Sequence, residues 1–341
     1  MSQLQIGLAI AGALVLAALI AHGVWTSRRN RPRQAVPEQA GAGANSETLR
    51  QEPAFEAVMR NLPAAERRAS LDALIDVIAH LPLDDGVVSG DAALAAMPAT
   101  RRAGSKPYAI EGMNDATAAW ESPLPGQRYN AFQAGVQLAN RSGALNEIEF
   151  SEFVMKTQAF ADEVGASPEF PEMRDEVARA RELDQFASTH DAQLSFTLHT
   201  RSAAWSPGYV AQHAARLGFV AGHLPGRMAL PPAAGGPAPI LSLTFDTQAA
   251  MAEDPAQSAI RQVGLSLDVP HVPRSEQPFV RLRTVAAELA ASMEGAITDD
   301  QGQALSSDSM DAIGAELEQL YERLEAHALE AGSELARRLF S

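Results

Sequence analysis

Histidine is the residue in this chain best suited to metal binding or proton transfer, and its eight copies are scattered. No two of them stand at HxH, HxxxH or HExxH spacing, which would place two ligands on one face of a strand or helix. Folding could still bring distant histidines together. The absence of cysteine excludes disulfides, thiol catalysis and Cys-ligated metals. We therefore expect no metal site. The histidines are His22, His80, His190, His199, His213, His223, His271 and His327.

Other catalytic signatures are also missing. The sequence has no GxSxG elbow, no GxxxxGK[ST] phosphate loop and no GxGxxG after a strand. The segment "PPAAGGPAP" (231–239) is Gly-rich, but its prolines lack the amide donors of a phosphate cradle, so we interpret it as a hairpin loop. The carboxylate pairs Asp84–Asp85 and Asp299–Asp300 adjoin glycines, which is typical of solvated turns. The sequence predicts a protein that is not an enzyme and holds no cofactor.

Charge is distributed unevenly along the chain. Four arginines, Arg28, Arg29, Arg31 and Arg33, fall within six positions, and no acidic residue precedes Glu38. The chain has 27 basic residues in total. Without these four, 23 basic and 42 acidic residues remain from position 34 onward, a net charge of −19. Such a body is repelled by nucleic-acid phosphates, and we expect no nucleic-acid partner.

The segment before these arginines has the length and composition of a membrane span. Residues 4–25 carry no charged side chain. As a helix they would reach about 33 Å, enough for a hydrocarbon core of about 30 Å. A signal peptide would place its basic residues before a shorter apolar run, whereas here they follow it. Because positive charge stays on the cytoplasmic side, we expect residues 1–3 outside, the body in the cytoplasm and residues 26–67 as a basic stop and short linker.

The C-terminal part shows the alternation of half-buried strands at 194–200, 240–246 and 263–269. Between the first two, residues 206–218 predict a helix capped by Ser206 and ended by Gly218. Amphipathic patterns predict further helices over 276–295 and 306–340, the second capped by Ser307. The result is an α+β domain over 190–341, an antiparallel sheet with helices on one face and the other face open.

A similar order of elements recurs about 130 residues earlier. An opening strand at 73–81 and an alternating strand at 131–140 precede a helix that ends near 159–167, and another helix follows. We therefore predict the fold class α+β: a single N-terminal transmembrane helix followed by two similar domains, 68–189 and 190–341, each an antiparallel sheet with helices packed on one face. The alternative is a chance match of common α+β patterning.

Three stretches of the sequence together resemble the ZipA family of membrane-anchored bacterial cell-division proteins. These are "ALIAHGVWTSRRNR" at the end of the apolar segment, the strand "GLSLDVP", and "MDAIGAELEQL" in the final helical region. The resemblance implies a non-catalytic adaptor of the inner membrane. In this family the bare face of a six-stranded sheet binds the C-terminal tail of the polymerising GTPase FtsZ, which tethers division filaments to the cytoplasmic side of the membrane.

The sequence departs from the family in two respects. Its tether is short, and a second folded domain occupies the place of the usual long linker. The side chains that alternate away from the predicted core are polar, whereas the family's bare face is apolar. This leaves open the alternative of a membrane-anchored scaffold that binds another division or envelope protein. The candidate partner-binding residues on the open face and its margin are Ser195, Thr197, His223, Leu224, Met228, Thr244, Asp246 and Ser266.

Overall fold

The computed structural model describes residues 32–35 and 71–341, apart from residues 85, 234, 237, 300 and 301. None of the helices in these ranges is long and apolar enough to cross a bilayer. The predicted membrane span, 4–25, and three of its four flanking arginines lie outside the described residues. What is described divides into two compact units. We call residues 71–191 with 334–341 the first unit, and residues 32–35 with 192–333 the second unit.

The first unit is built on an antiparallel sheet of six strands in the order β1-β6-β4-β3, with β2 beside β6 and β5 beside β4. Residues 166 and 169 form single bridges to Leu83 and His80, next to β1. Its elements in chain order are β1 (Asp76–Pro82), β2 (Val88–Ser89), α1 (Gly90–Ala96), β3 (Arg102–Ala103), β4 (Lys106–Asn114), β5 (Trp120–Glu121), β6 (Arg128–Gln137), β7 (Ala139–Asn140), β8 (Gly143–Ala144), α2 (Glu147–Val164), α3 (Met173–His190) and, from the chain end, α8 (Glu334–Leu339).

Helices cover one face of this sheet. Alternate residues of β1 and β6 are fully buried and pack with the aromatic side chains of α2, such as Phe153 and Phe160. The helix α2 begins at a capping box in which the Asn146 side chain accepts from the Glu149 amide and the Glu149 carboxylate accepts from Asn146. It ends at Gly165, whose φ of 69° is the left-handed conformation that glycine adopts without steric cost.

The second unit contains a six-stranded antiparallel sheet in the order β10-β11-β12-β13-β9-β14. It also includes two 3₁₀ turns, Val269–His271 and Arg274–Glu276. Its other elements are β9 (Gln193–Thr200), α4 (Pro207–Arg216), β10 (Val220–Ala221), β11 (Arg227–Leu230), β12 (Leu241–Thr244), α5 (Thr247–Ala250), β13 (Gln262–Asp268), α6 (Pro278–Met293), β14 (Gly295–Thr298) and α7 (Ser307–Ala326).

The strand and helix patterns of the second unit match most of the sequence predictions. The strand β12 falls within its predicted alternating segment, and β9 and β13 each begin one residue before theirs; their inward side chains, such as Phe196, Leu243 and Leu265, are buried. The Ser206 hydroxyl caps α4 by accepting from the Tyr209 amide at 3.2 Å. The loop between β11 and β12 contains "PPAAGGPAP", and these strands form the predicted hairpin. Two antiparallel sheets bearing helices confirm this part of the predicted fold class.

The prediction of one helix over 306–340 is wrong. The helix α7 ends at Ala326, and its capping hydroxyl belongs to Ser306 rather than Ser307, since Ser306 Oγ accepts from the Ser309 amide at 3.1 Å. Past the turn at Gly332, with φ 79°, the chain forms α8, which belongs to the first unit. The second unit thus lacks the last eight residues of the predicted 190–341 domain and gains residues 32–35.

Burial and charge explain why α8 belongs to the first unit. Leu339 is completely buried and Phe340 is 1% exposed. Arg338 forms a salt bridge with the buried carboxylate of Asp76, with 2.6 Å between Nη2 and Oδ1. The Arg141 amide donates to the Ser341 carbonyl at 3.1 Å. The short helix therefore completes the core of the first unit, a contribution that its own amphipathic pattern does not reveal.

The two units share an order of elements. Strand β1 corresponds to β9, the central pair β4 and β6 to β12 and β13, and residues 166–169 take the place of β14 at the edge beside the first strand. Helices α1, α2 and α3 occupy the same places in the chain as α4, α6 and α7. The shared topology agrees with the recurring pattern in the sequence, and an origin by duplication stays a prediction.

Candidate functional site

Among the residues that the structure describes, no helix covers one face of the second sheet, and we call it the open face. It carries two cross-strand rows, Ser242–Ser266–Ser195 and Thr244–Gly264–Thr197. The alternate row, Leu243–Leu265–Phe196, is buried on the opposite face, where α6 contacts β9, β13 and β14. The structure thus brings Ser195, Thr197, Thr244 and Ser266 together on one surface. Their positions follow from the period-two alternation that the sequence shows.

Two shallow depressions lie on the open face. The larger, about 770 Å³, is lined by Thr197, Thr244, Asp246, Arg261 and Gly264 among others. Gly264 has no side chain to occupy this depression, and a Cβ there would stand only 2.9 Å from Thr244 Oγ1. The smaller, about 270 Å³, is lined by residues that include Gln193, Ser242, Ser266, Asp268 and His271. The lining offers hydroxyl and amide groups with a charge at the rim, which suits hydrogen bonding to an extended partner more than burial of a large apolar side chain.

Asp246 lies at the rim rather than on a strand. Its Oδ1 accepts hydrogen bonds from the amides of Gln248 at 2.8 Å and Ala249 at 3.3 Å, which caps the short helix α5. The side chain therefore has a structural role at the edge of the larger depression. One oxygen of its carboxylate already accepts hydrogen bonds from the protein's own backbone.

The three residues predicted at the margin of the open face, His223, Leu224 and Met228, do not share one surface in the structure. His223 and Leu224 lie in the exposed turn between β10 and β11, and Leu224 is 57% exposed. Met228 is opposite Leu243 on the helix-covered face and only 7% exposed, so it is not available to a partner. Successive side chains of β11 point to opposite sides of the sheet, so Arg227 and Ala229 face the open side and Met228 between them faces the helices.

Sequence reasoning missed two apolar side chains near this margin. Val220 is 53% exposed and lies opposite Ala229, in the row of Ser242, so it belongs to the open face. Met251 is 67% exposed and directly follows α5. The alternation within "FVAGHL" is a signal for Val220, whereas nothing in the sequence marks Met251. Complete burial of such half-exposed side chains contributes about 1 kcal/mol each, so the margin supplies an apolar component that the polar rows lack.

The corresponding face of the first sheet has an apolar row at its centre. Its central row is Ile78–Gly135–Ala109, and the chain segment that enters the unit lies across it. A Cβ on Gly135 would be 2.4 Å from Leu71 Cδ2, which places the leucine directly over the glycine. The Leu71 amide donates to Glu111 Oε1 at 3.1 Å, and Glu111 is completely buried. This face is therefore a second candidate surface, partly covered by its own chain.

Several titratable groups away from these faces have structural partners. Burial lowers the pKa of Lys106, whose Nζ donates to Asn140 Oδ1 at 2.8 Å. Asp84 accepts from Ser167 Oγ at 2.8 Å, and Asp299 accepts from the Gln303 amide at 2.7 Å, while Asp85 and Asp300 lie outside the described residues. In the described ranges, no three histidine, aspartate or glutamate side chains are grouped as metal ligands would be.

Arg33 is the one arginine of the basic run that the structure describes. Its guanidinium forms a salt bridge with Glu294 of the second unit, so this side chain already has a partner within the protein. Its partner raises the pKa of Arg33, and Arg33 in turn lowers the pKa of Glu294. Arg28, Arg29 and Arg31 lie outside the described residues.

Comparison with known families identifies part of the second unit. Residues 245–316 match the family described as ZipA, C-terminal FtsZ-binding domain. The match covers 72 of 341 residues, from 245 through 316, and contains α5, β13, α6, β14 and the first half of α7. No curated protein matches the chain. The matched segment supplies the central strand and the covering helix of the sheet described above. Over residues 245–316 this chain is thus similar to the ZipA C-terminal FtsZ-binding domain, a non-catalytic binding domain.

Proposed function

We propose that this protein is a single-pass adaptor of the bacterial inner membrane that tethers FtsZ filaments during septum assembly. The observation that carries the proposal is the family match over 245–316, which falls on the sheet whose open face is uncovered. The partner is the C-terminal tail of FtsZ. No catalytic step is involved, since the function needs only a peptide-binding surface and an attachment to the membrane.

The open face supports peptide docking through its geometry. Its two polar rows run across neighbouring strands and line the two shallow depressions. Hydroxyl groups in these rows can pair with the backbone of an extended segment, and each such hydrogen bond contributes about 1 kcal/mol. Val220 and Leu224 at the margin can bury apolar side chains of the same segment. The expected complex is one of modest affinity, strengthened by many copies along a filament.

The test is a titration of the full-length protein in detergent with a labelled FtsZ tail peptide. Thr197 and Thr244 flank Gly264 on the open face, so the double variant Thr197→Arg/Thr244→Arg fills the larger depression with two long side chains. We expect at least tenfold weaker binding, about 1.4 kcal/mol. The matched control is Thr284→Arg, on the exposed surface of α6. Equal binding by wild type and the double variant would show that the peptide does not bind at the open face.

The membrane attachment is tested separately. Deleting residues 1–27 removes the predicted span, and we expect the shortened protein to move from the membrane to the soluble fraction. The control is deletion of residues 36–62, which removes the same number of residues after the basic run. Recovery of the 1–27 deletion in membranes would contradict the proposed anchor.

A second candidate function is a membrane-anchored scaffold for another division or envelope protein. The polarity of the open face favours it, because the apolar burial expected of the family's groove is largely absent from the rows of Ser266 and Gly264. No binding of the FtsZ tail at millimolar peptide, about −4 kcal/mol or weaker, would favour this alternative.

A further inference from the structure

Residues 32–35, which include the last arginine of the basic run, are bound to the second unit through a single β-bridge at Arg33. The Arg33 amide donates to the Ala204 carbonyl at 2.7 Å, and the Ser206 amide donates to the Arg33 carbonyl at 2.9 Å. These two bonds form a parallel bridge between Arg33 and Trp205. Main-chain pairing of this kind is how extended segments add to the edge of a folded domain.

The docking site is anchored in the core of the second unit. Trp205 is completely buried, and its backbone exchanges two hydrogen bonds of 2.8 Å with Ile260, two residues before β13. Its indole nitrogen donates to the Met293 carbonyl at 2.9 Å, at the end of α6. The neighbouring Ser206 caps α4. A segment bound to Trp205 is thus attached to several elements of the unit at once.

A salt bridge adds to the backbone pairing. The Arg33 guanidinium lies 2.5 Å from the Glu294 carboxylate, and the Tyr209 side chain is a second partner. Glu294 occupies the C-cap of α6 with φ 53°, the left-handed conformation for which glycine is the favoured residue. A glutamate at this position carries a steric cost, and its carboxylate gains the ion pair with Arg33 in return. We call the contacts of Arg33 with Ala204, Ser206 and Glu294 the latch.

We propose that the latch holds the second unit against the membrane surface, with the open face within a short fixed distance of the lipid. This inference rests on the proposed anchor at residues 4–25. Only seven residues, 26–32, would separate that span from Arg33, and at about 3.6 Å per residue they reach about 25 Å. The next described residue, Leu71, is 45 residues beyond the span, a reach of about 160 Å. The latch therefore leaves only residues 26–32 between the span and the second unit.

The consequence for function is geometric. The sequence alone predicts a basic stop and a short linker over 26–67 between the span and both units. With the latch closed, a peptide on the second unit is confined to a thin layer next to the bilayer, which raises its effective concentration there. The longer stretch between residues 35 and 71 then connects the second unit to the first, rather than the membrane to the whole body.

The experiment uses the full-length protein in liposomes that contain an acceptor-labelled lipid. Because the chain has no cysteine, Ala256→Cys provides a single site on the second unit for a donor dye. Glu294→Arg breaks the salt bridge, and Arg33→Glu/Glu294→Arg restores it with reversed charges. We expect energy transfer to fall severalfold in Glu294→Arg and to recover in the double variant. Glu316→Arg, an exposed charge reversal on α7, is the matched control and should transfer like wild type.

Two further measurements separate the latch from the anchor. Hydrogen exchange of the Arg33 and Ser206 amides in detergent reports the latch alone, and both should exchange faster in Glu294→Arg than in Glu316→Arg. Flotation with liposomes reports the anchor alone, and every variant should float. Failure to float would overturn the anchor and this inference with it. Floating protein with equal energy transfer in wild type and Glu294→Arg, or with unprotected Arg33 and Ser206 amides, would overturn the latch and leave the anchor standing.

Discussion

The pairing of Arg338 with Asp76 gives the sharpest test of whether residues 334–341 belong to the first unit. Asp76 is 1% exposed, and its Oδ1 lies 2.6 Å from Arg338 Nη2. Replacement of Arg338 by methionine keeps most of the side-chain volume and leaves a buried carboxylate without its cation. Loss of one partner of a buried ion pair costs about 3–5 kcal/mol. Since the Arg338 side chain is itself 22% exposed, we expect a value near the lower end, about 3 kcal/mol.

This loss should be confined to the first unit. With a urea dependence of about 1.5 kcal/mol per molar, the unfolding midpoint of the first unit should fall by about 2 M. Hydrogen exchange followed by mass spectrometry across a urea series measures both units in one sample, through peptides from β1 and β6 for the first unit and from β13 for the second. The control is Arg174→Met, which removes the same charge from an exposed position on α3 and should change stability by no more than about 0.5 kcal/mol.

The effect of Arg338→Met also depends on pH with a defined sign. Burial raises the pKa of Asp76 above its ordinary value, against the opposing attraction of Arg338. Without the arginine the folded-state pKa rises further, so the folded variant binds a proton more tightly than the unfolded chain does. Its free energy of unfolding therefore recovers as pH falls through that raised pKa toward the unfolded value of about 3.9.

Two results would refute this reasoning. A midpoint shift in the β13 peptides as large as that in the β1 peptides would show that α8 does not belong to the first unit alone. A difference between wild type and Arg338→Met that stays constant down to about pH 4 would show that the Asp76 carboxylate is not the source of the instability.

Three other variants test the fold more simply, each by urea denaturation of the full-length protein. Deletion of residues 334–341 removes the buried side chains of α8 and the salt bridge together, and should unfold the first unit, at a cost of about 5 kcal/mol or more, while the second unit stays folded. Met228→Asp should destabilise the second unit by about 3 kcal/mol because the methionine is buried, whereas Val220→Asp on the open face should cost less than about 0.5 kcal/mol; equal effects would contradict the assigned faces. Gly332→Ala and Gly302→Ala both replace a glycine with φ 79°, but only at Gly332 would the new Cβ meet another group, at 2.4 Å, so Gly332→Ala should be the more destabilising by about 1–3 kcal/mol.

Local patterns in the sequence determined a large part of the second unit. Period-two alternation places Ser195, Thr197, Thr244 and Ser266 on one face because successive side chains of a strand point to opposite sides. Capping chemistry likewise marks the start of α4, since a serine followed by proline satisfies the free amides of a first helical turn. The resemblance to the ZipA family also depended on short contiguous stretches, and residues 245–316 confirm it.

Only the tertiary structure decided which distant segments join each unit. The helix α8 looks in sequence like the continuation of α7, but Leu339 and Phe340 are buried in the first unit, and the Asp76 that Arg338 meets is 262 positions away. Arg33 looks like a membrane-flanking charge, yet its backbone pairs with Trp205 and its side chain with Glu294. Periodicity encodes the face on which a side chain lies, whereas a pairing between distant residues depends on three-dimensional proximity that no local pattern records.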